Sequence, residues 1–291
     1  MSRSPCFLLE RTCRGAHCAS ATGLPRFARN DQRWHEFTDA QCAPLQIYYK
    51  IQEKFMREII DWLAHQFNIT FIASNRYRLF IEGFRNTIII ALGAAVIGVF
   101  IGSIVAMVRV YHAQTGRLKA LDMLFAAYLA IFRGTPIVVQ LLIMYYIILQ
   151  SVHNALIVAV ISFGINSGAY VAESVRAGIL SVDIVQTEAG RSLGLSAFKT
   201  LVLIVLPQAI KNILPALGNE FVILIKETSV ASFITVRDLA RAGANVRAAT
   251  MEPYFSLFFV ALVYFCLVFG VSKLFKFIER RLARSDRANS G

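Results

Sequence analysis

Charge is what this sequence most lacks. Asp, Glu, Lys and Arg together make up 16% of its 291 residues, against about 25% in an average soluble domain. So sparse a charge cannot coat a water-soluble surface, and 56% apolar residues with a mean hydropathy of +0.56 agree. Acidic residues are the scarcest: 18 face 30 basic ones, for a net charge of +12 and a pI of about 9.8. In a soluble protein that balance points to nucleic acid. Here the basic residues sit in short stretches between apolar blocks of membrane length, the footprint of cytoplasmic loops, so no nucleic-acid partner is expected. Cysteine is also rare. Four of the five (Cys6, Cys13, Cys18, Cys42) precede residue 45 and the fifth, Cys266, lies in an apolar block. That excludes a disulfide scaffold, and no closely spaced histidine pair completes a zinc site with the first four. The composition likewise excludes disorder, collagen and a coiled coil.

Chemical signatures are missing as well. No Gly-x-x-x-x-Gly-Lys-Ser/Thr loop is present to cradle phosphates, so the chain is not expected to bind ATP or Mg itself. The one near-match to a nucleophile elbow, Gly164-Ile165-Asn166-Ser167-Gly168, has asparagine where the serine belongs. His65, His112 and His153 are isolated from other metal-ligating residues in sequence. No catalytic and no metal site is expected.

What is present is a series of long apolar runs. Residues 1–45 have no apolar periodicity and are read as an unstructured or mis-annotated extension, with the true start near Met56. Residues 46–83 form an amphipathic, interfacial segment, in which Ile51, Phe55, Ile59, Leu63 and Phe67 recur every four positions. About twenty apolar residues cross a bilayer as a helix. Five such spans are expected, at about 87–108, 121–150, 154–177, 201–225 and 254–278, followed by a tail at 285–291. In the first, Gly93, Gly98 and Gly102 are spaced for close helix packing. The second is interrupted by Arg133-Gly134-Thr135-Pro136, which must break or bend the helix where protein or water meets the freed backbone groups.

Lysine and arginine set the orientation. With the C-terminus inside, the inner segments hold twelve basic residues (Arg109, Arg117, Lys119, Arg176, Arg191, Lys199, Lys273, Lys276, Arg280, Arg281, Arg284, Arg287). The outer segments hold seven: Arg76, Arg78, Arg85, Lys226, Arg237, Arg241 and Arg247. The expected fold is therefore all-α, with five transmembrane helices, the N-terminus outside and the C-terminus cytoplasmic. The connection 178–200 is then cytoplasmic too.

That connection contains Glu188-Ala189-Gly190, then Gly194, and, after nine residues, Ile204-Val205-Leu206-Pro207. It reads as a short helix starting near Glu188, whose carboxylate suits a helix N-terminus, broken at Gly194 before a second helical piece. A knob of this shape suits a groove on a cytosolic partner. The pattern resembles the EAA loop in the membrane-spanning subunits of ATP-binding-cassette (ABC) importers. Three further stretches resemble the polar amino-acid branch of that family: Phe132-Arg133-Gly134-Thr135-Pro136 with Val139-Gln140, Asn166 to Glu173, and Gly218-Asn219-Glu220-Phe221 leading to Ser232. Together the resemblance covers about residues 80–284. Gly190 departs from it, standing where the family has a second alanine.

The resemblance implies a type I ABC importer transmembrane domain and a coupling role for Glu188, Ala189, Gly190, Gly194, Leu206 and Pro207. It implies as partners a dimer of ABC ATPase subunits that carries the ATP and Mg, an extracellular or periplasmic amino-acid-binding protein, a second permease copy or sister permease, and membrane lipid. Charges within hydrocarbon are costly, so Arg133, Glu173 and Glu220 are candidates for a substrate path, with Arg133 and Glu173 equally placed to lie near the membrane face, snorkelling or pairing structurally. Thr135, Gln140, Asn166, Tyr170 and Asn219 join them as hydrogen-bonding candidates that could equally tie helices together. The alternative is a gradient-driven secondary carrier, but such carriers commonly break helices in both halves of the chain and have no need of the cytoplasmic knob.

Overall fold

The computed structural model describes residues 51–289; the expected N-terminal extension lies outside the described residues. Every regular element among the described residues is helical. The chain divides into two units, one ending at Asn68 and the other starting at Ile69. In the first, helix α1 covers 51–67 and leaves its apolar stripe of Ile51, Phe55, Ile59 and Leu63 exposed. Glu53 pairs with Arg57 and Lys54 with Glu58 one turn apart, contributing a few tenths of a kcal/mol each.

The second unit contains α2 (Tyr77–Thr115), α3 (Lys119–Gly134), α4 (Ile137–Ile143, widened into a π turn over Met144–Ile148) and α5 (Ala155–Leu180). After them come α6 (Ile184–Ser192), α7 (Ala197–Thr200), α8 (Leu206–Glu227), α9 (Leu239–Thr250) and α10 (Pro253–Asn289). Among the described residues, four helical runs are long and apolar enough to cross a bilayer: Tyr77–Thr115, Ala155–Leu180, Ala197–Ile234 and Tyr254–Arg281. The bent pair α3 and α4 makes a fifth if the two count as one span.

This second span differs from a kinked rod. Its halves meet at 111°, because Pro136 has no N–H to donate and holds Thr135 in an extended conformation (φ −122°, ψ 148°). Helix α2 runs 39 residues, past the expected 87–108, because Glu82, Arg85 and Arg109 at its ends lower the hydropathy without breaking the helix. A twelve-residue helix, α9, occupies part of the expected outer connection.

Packing centres on α2 against α5, where the small residues lie. A Cβ on Gly98 would stand 2.7 Å from Ser167 Oγ, and one on Gly102 2.6 Å from Val171 Cγ1, so the two backbones approach as closely as glycine permits. The main core fills around this pair with Ile90, Ala94, Leu141, Val158, Phe163 and Leu224. Near the start of α2, Phe71, Phe80 and Phe259 meet with centroids 4.6–5.4 Å apart.

Asp238 anchors α9 there. Its carboxylate accepts from Ala240 N and Arg241 N, both at 3.0 Å, as an N-cap. The Tyr264 hydroxyl donates to it at 3.4 Å. Burial pushes the carboxyl above the usual aspartate range, while the two backbone N–H groups and the tyrosine pull the other way. Gly83 touches the same segment: a Cβ on it would stand 2.7 Å from the Asp238 carbonyl oxygen, a backbone atom with no rotamer to yield.

Candidate functional site

The knob between α5 and α8 is built on α6. Its N-cap is Asp183, whose Oδ1 accepts from Val185 N at 3.0 Å, so the helix starts one turn before Glu188. Glu188 sits mid-helix and exposed, which corrects the expectation that the helix starts near it. Asp before Ile184 is itself an N-cap signal in the sequence.

The break at Gly194 is confirmed, and its geometry explains the residue. Leu195 N donates to Gly190 O at 3.2 Å and Gly194 N to Arg191 O at 3.0 Å, with Gly194 at φ +84°. This is the paired closure of a helix by a left-handed residue. A side chain at that φ costs about 1–2 kcal/mol. Gly194→Ala is therefore expected to destabilise the knob by about 1 kcal/mol, read as faster amide hydrogen exchange over 184–195 than in the parent protein. Unchanged exchange there would refute the closure argument.

Gly190 is the buried side of α6. A Cβ at this position would stand 2.7 Å from Thr200 Cγ2 and 2.8 Å from Ile204 Cδ1, so glycine lets α6 lie against the start of the next span. The exposed side carries Ile184, Val185, Glu188, Ala189 and Leu193. Two side-chain bonds hold the knob on its neighbours: Gln208 Nε2 to Gln186 Oε1 at 3.4 Å and Asn212 Nδ2 to Ser181 Oγ at 2.8 Å. Sequence reading missed Gln208 and Asn212. Pro207 is exposed in the first turn of α8, and the π turn Leu201–Val205 just before it makes room for a ring that would clash with the carbonyl four residues back. Leu206 packs on the apolar cluster of Val171, Val175, Leu201 and Ile213.

The second set of polar residues surrounds the α3–α4 bend. Gln140 Nε2 donates to Phe132 O (2.9 Å), Thr135 O (3.0 Å) and Thr135 Oγ1 (2.7 Å). Asn166 Nδ2 donates to Gln140 Oε1 at 2.8 Å and to Phe132 O at 3.3 Å. Thr135 Oγ1 donates to Ile131 O at 2.8 Å. These three residues supply the partners that a bend at membrane depth requires.

The bend projects Arg133 outward. Its guanidinium stands 5.7 Å from the Tyr170 ring centroid and 4.0 Å from Glu173 Oε2. Glu173 also accepts from Arg176 at 2.9 Å and Arg109 at 3.3 Å, and Arg109 pairs in turn with Asp122 at 3.2 Å. Glu173 is thus the centre of a charge cluster joining α2, α3 and α5, and sequence reading missed Arg109 and Asp122 because they are 64 and 13 positions from their partners. Asn219 is exposed on α8 and Glu220 half-buried beside it. Arg133, Tyr170 and Glu173 therefore converge, while Thr135, Gln140 and Asn166 face the backbone of the bend.

Comparison with known proteins places this architecture. A model of the binding-protein-dependent transport system inner membrane component matches residues 98–284. A Rickettsia felis permease named for a glutamine transport system is 37% identical over 205 residues, covering 69% of this chain and 92% of that one. The arginine transport system permease of Bacillus subtilis is 33% identical over 209 residues, covering 71% and 93%. A crystal structure of an amino acid ABC transporter with histidines superposes with a TM-score of 0.65 at 38% identity, over 72% of this chain and 98% of that one. The chain belongs to the family of inner-membrane components of binding-protein-dependent transport systems, as a multi-pass permease subunit of an ABC importer.

Proposed function

We propose that this permease moves a polar amino acid inward and that α6 is the element through which ATP hydrolysis on a separate ATPase dimer drives it. The observation that carries the coupling role is α6 itself, capped at both ends, anchored to α8 and exposing Ile184, Val185, Glu188 and Leu193. Glu188, Ala189, Gly190 and Gly194 shape and present that surface, and Leu206 and Pro207 fix how the next span leaves it. In this reading the knob and the C-terminus face the cytoplasm and the N-terminus the outside. A second copy or a sister permease completes the path, a binding protein delivers the solute, and α1 lies on lipid.

The amino-acid assignment rests on relatives named for glutamine and arginine transport. For the path the reading favours Arg133 with Tyr170, Glu173, Asn219 and Glu220. Thr135, Gln140 and Asn166 serve it by holding the bend that carries Arg133. Isolation from native membrane in mild detergent is expected to recover an ATPase subunit with a phosphate-binding loop in stoichiometric amount. The complete system in liposomes is expected to take up a polar amino acid only with ATP inside. Uptake by the permease alone, driven by an ion gradient, would overturn this reading.

A further inference from the structure

The end of α5 farthest from the knob carries a groove that the coupling and path residues do not use. It is about 440 Å³ and is formed by Glu82 and Asn86 of α2, His153 and Leu156 at the start of α5, and Thr235 and Arg237 before α9. Helix α5 has 26 residues, which at 1.5 Å each sets the groove about 39 Å from the knob along the helix. Pockets of this volume suit small molecules.

Three features define what fits. Glu82 and Arg237 form an ion pair at 3.6 Å with side chains 38% and 64% exposed; so exposed a pair is held weakly and exchanges partners readily. Asn86 is only 7% exposed. Its Nδ2 donates to Arg237 O at 2.8 Å, but its buried Oδ1 has no hydrogen-bond partner among the described residues. Asn86 and Glu82 lie one helical turn apart on α2, on the same face, and the Asn86 bond to Arg237 O ties the Arg237 segment to that face. The groove thus offers one carboxylate beside one guanidinium, with the positive end of α5 adjoining.

We propose that this groove is a receiving site for the zwitterionic head of an α-amino acid. The ligand carboxylate takes Arg237, its ammonium takes Glu82, and the ligand side chain faces the open mouth. Exchanging an internal ion pair for a zwitterion leaves the charge of the groove unchanged, whereas a simple anion or cation leaves Glu82 or Arg237 without its partner. The site rests on the amino-acid reading above and adds a stop on the permease away from the Arg133 path.

The test uses the permease with its ATPase partner in lipid nanodiscs, without binding protein, and L-glutamine and L-arginine as calorimetric probes. Wild type is expected to bind at least one of them, and Glu82→Gln and Arg237→Gln are each expected to weaken it about tenfold or more. If L-glutamine binds, its methyl ester and N-acetyl derivatives are expected to bind as poorly as the variants do. Both exchanges are on exposed side chains, and size-exclusion profiles check the fold. Binding that survives both groove variants overturns the site. So does unchanged amino-acid binding by both variants together with weaker docking when binding protein is then added, which would make the groove a protein-docking surface. No binding to wild type, with amino-acid uptake by the complete system intact, overturns the site alone. Failure of the complete system to take up any amino acid overturns the underlying reading, and this site with it.

Discussion

Glu188→Lys is expected to leave the permease folded in the membrane and to cut ATP-driven uptake at least about thirtyfold, the equivalent of about 2 kcal/mol. The two halves of that expectation come from the same observation. Glu188 is exposed in the middle of α6 and makes no ion pair among the described residues, so folding does not use its charge. What remains for it is the partner's surface, where reversing one charge of a complementary pair costs several kcal/mol. Glu188→Gln, which keeps the shape and removes only the charge, is expected to fall between the two. The measurement is uptake in proteoliposomes alongside recovery of the ATPase subunit with the purified permease. Normal uptake with a stoichiometric ATPase would show that α6 does not dock through this residue.

The knob was legible in sequence because its signals are local. A capping aspartate, a glycine at the helix end and a proline opening the next helix are all read within a few positions. Even so, the start of α6 was misplaced by one turn. Glu188 fits the positive end of a helix as well as Asp183 does, and only the bond to Val185 N decides between them. The apolar runs were legible too, but not their ends. Hydropathy falls wherever a charge appears, and α2 carries Glu82, Arg85 and Arg109 inside its helix. What could not be read was pairing across the fold. The Arg109–Glu173 contact joins residues 64 positions apart and the Asn86–Arg237 contact 151. No periodicity announces either. That is why Glu173 read equally as a charge facing a cavity and as a structural partner, and only the fold shows it shared among three arginines.

Gln140→Leu is expected to destabilise the permease by about 3 kcal/mol, and the reason lies in the same limit of sequence reading. A glutamine in an apolar helix reads equally as a solute ligand or as a tie between helices. In the structure its amide serves Phe132 O, Thr135 O and Thr135 Oγ1, and its carbonyl accepts from Asn166. Leucine fills the space but leaves the Thr135 carbonyl and one N–H of the Asn166 amide without a partner, at about 1–3 kcal/mol each. Phe132 O keeps only the longer 3.3 Å bond from Asn166. Asn166→Leu leaves Gln140 Oε1 without its donor, while Phe132 O keeps its 2.9 Å bond from Gln140, and a smaller loss is expected. In a thermal melt of the nanodisc-embedded protein, Gln140→Leu is expected to lower the midpoint by roughly 6–12 °C. The KM of the uptake that remains is expected to stay near the parent value, because the residue holds the bend rather than the solute. A KM raised tenfold with an unchanged melting midpoint would reverse the assignment and place Gln140 on the path beside Arg133.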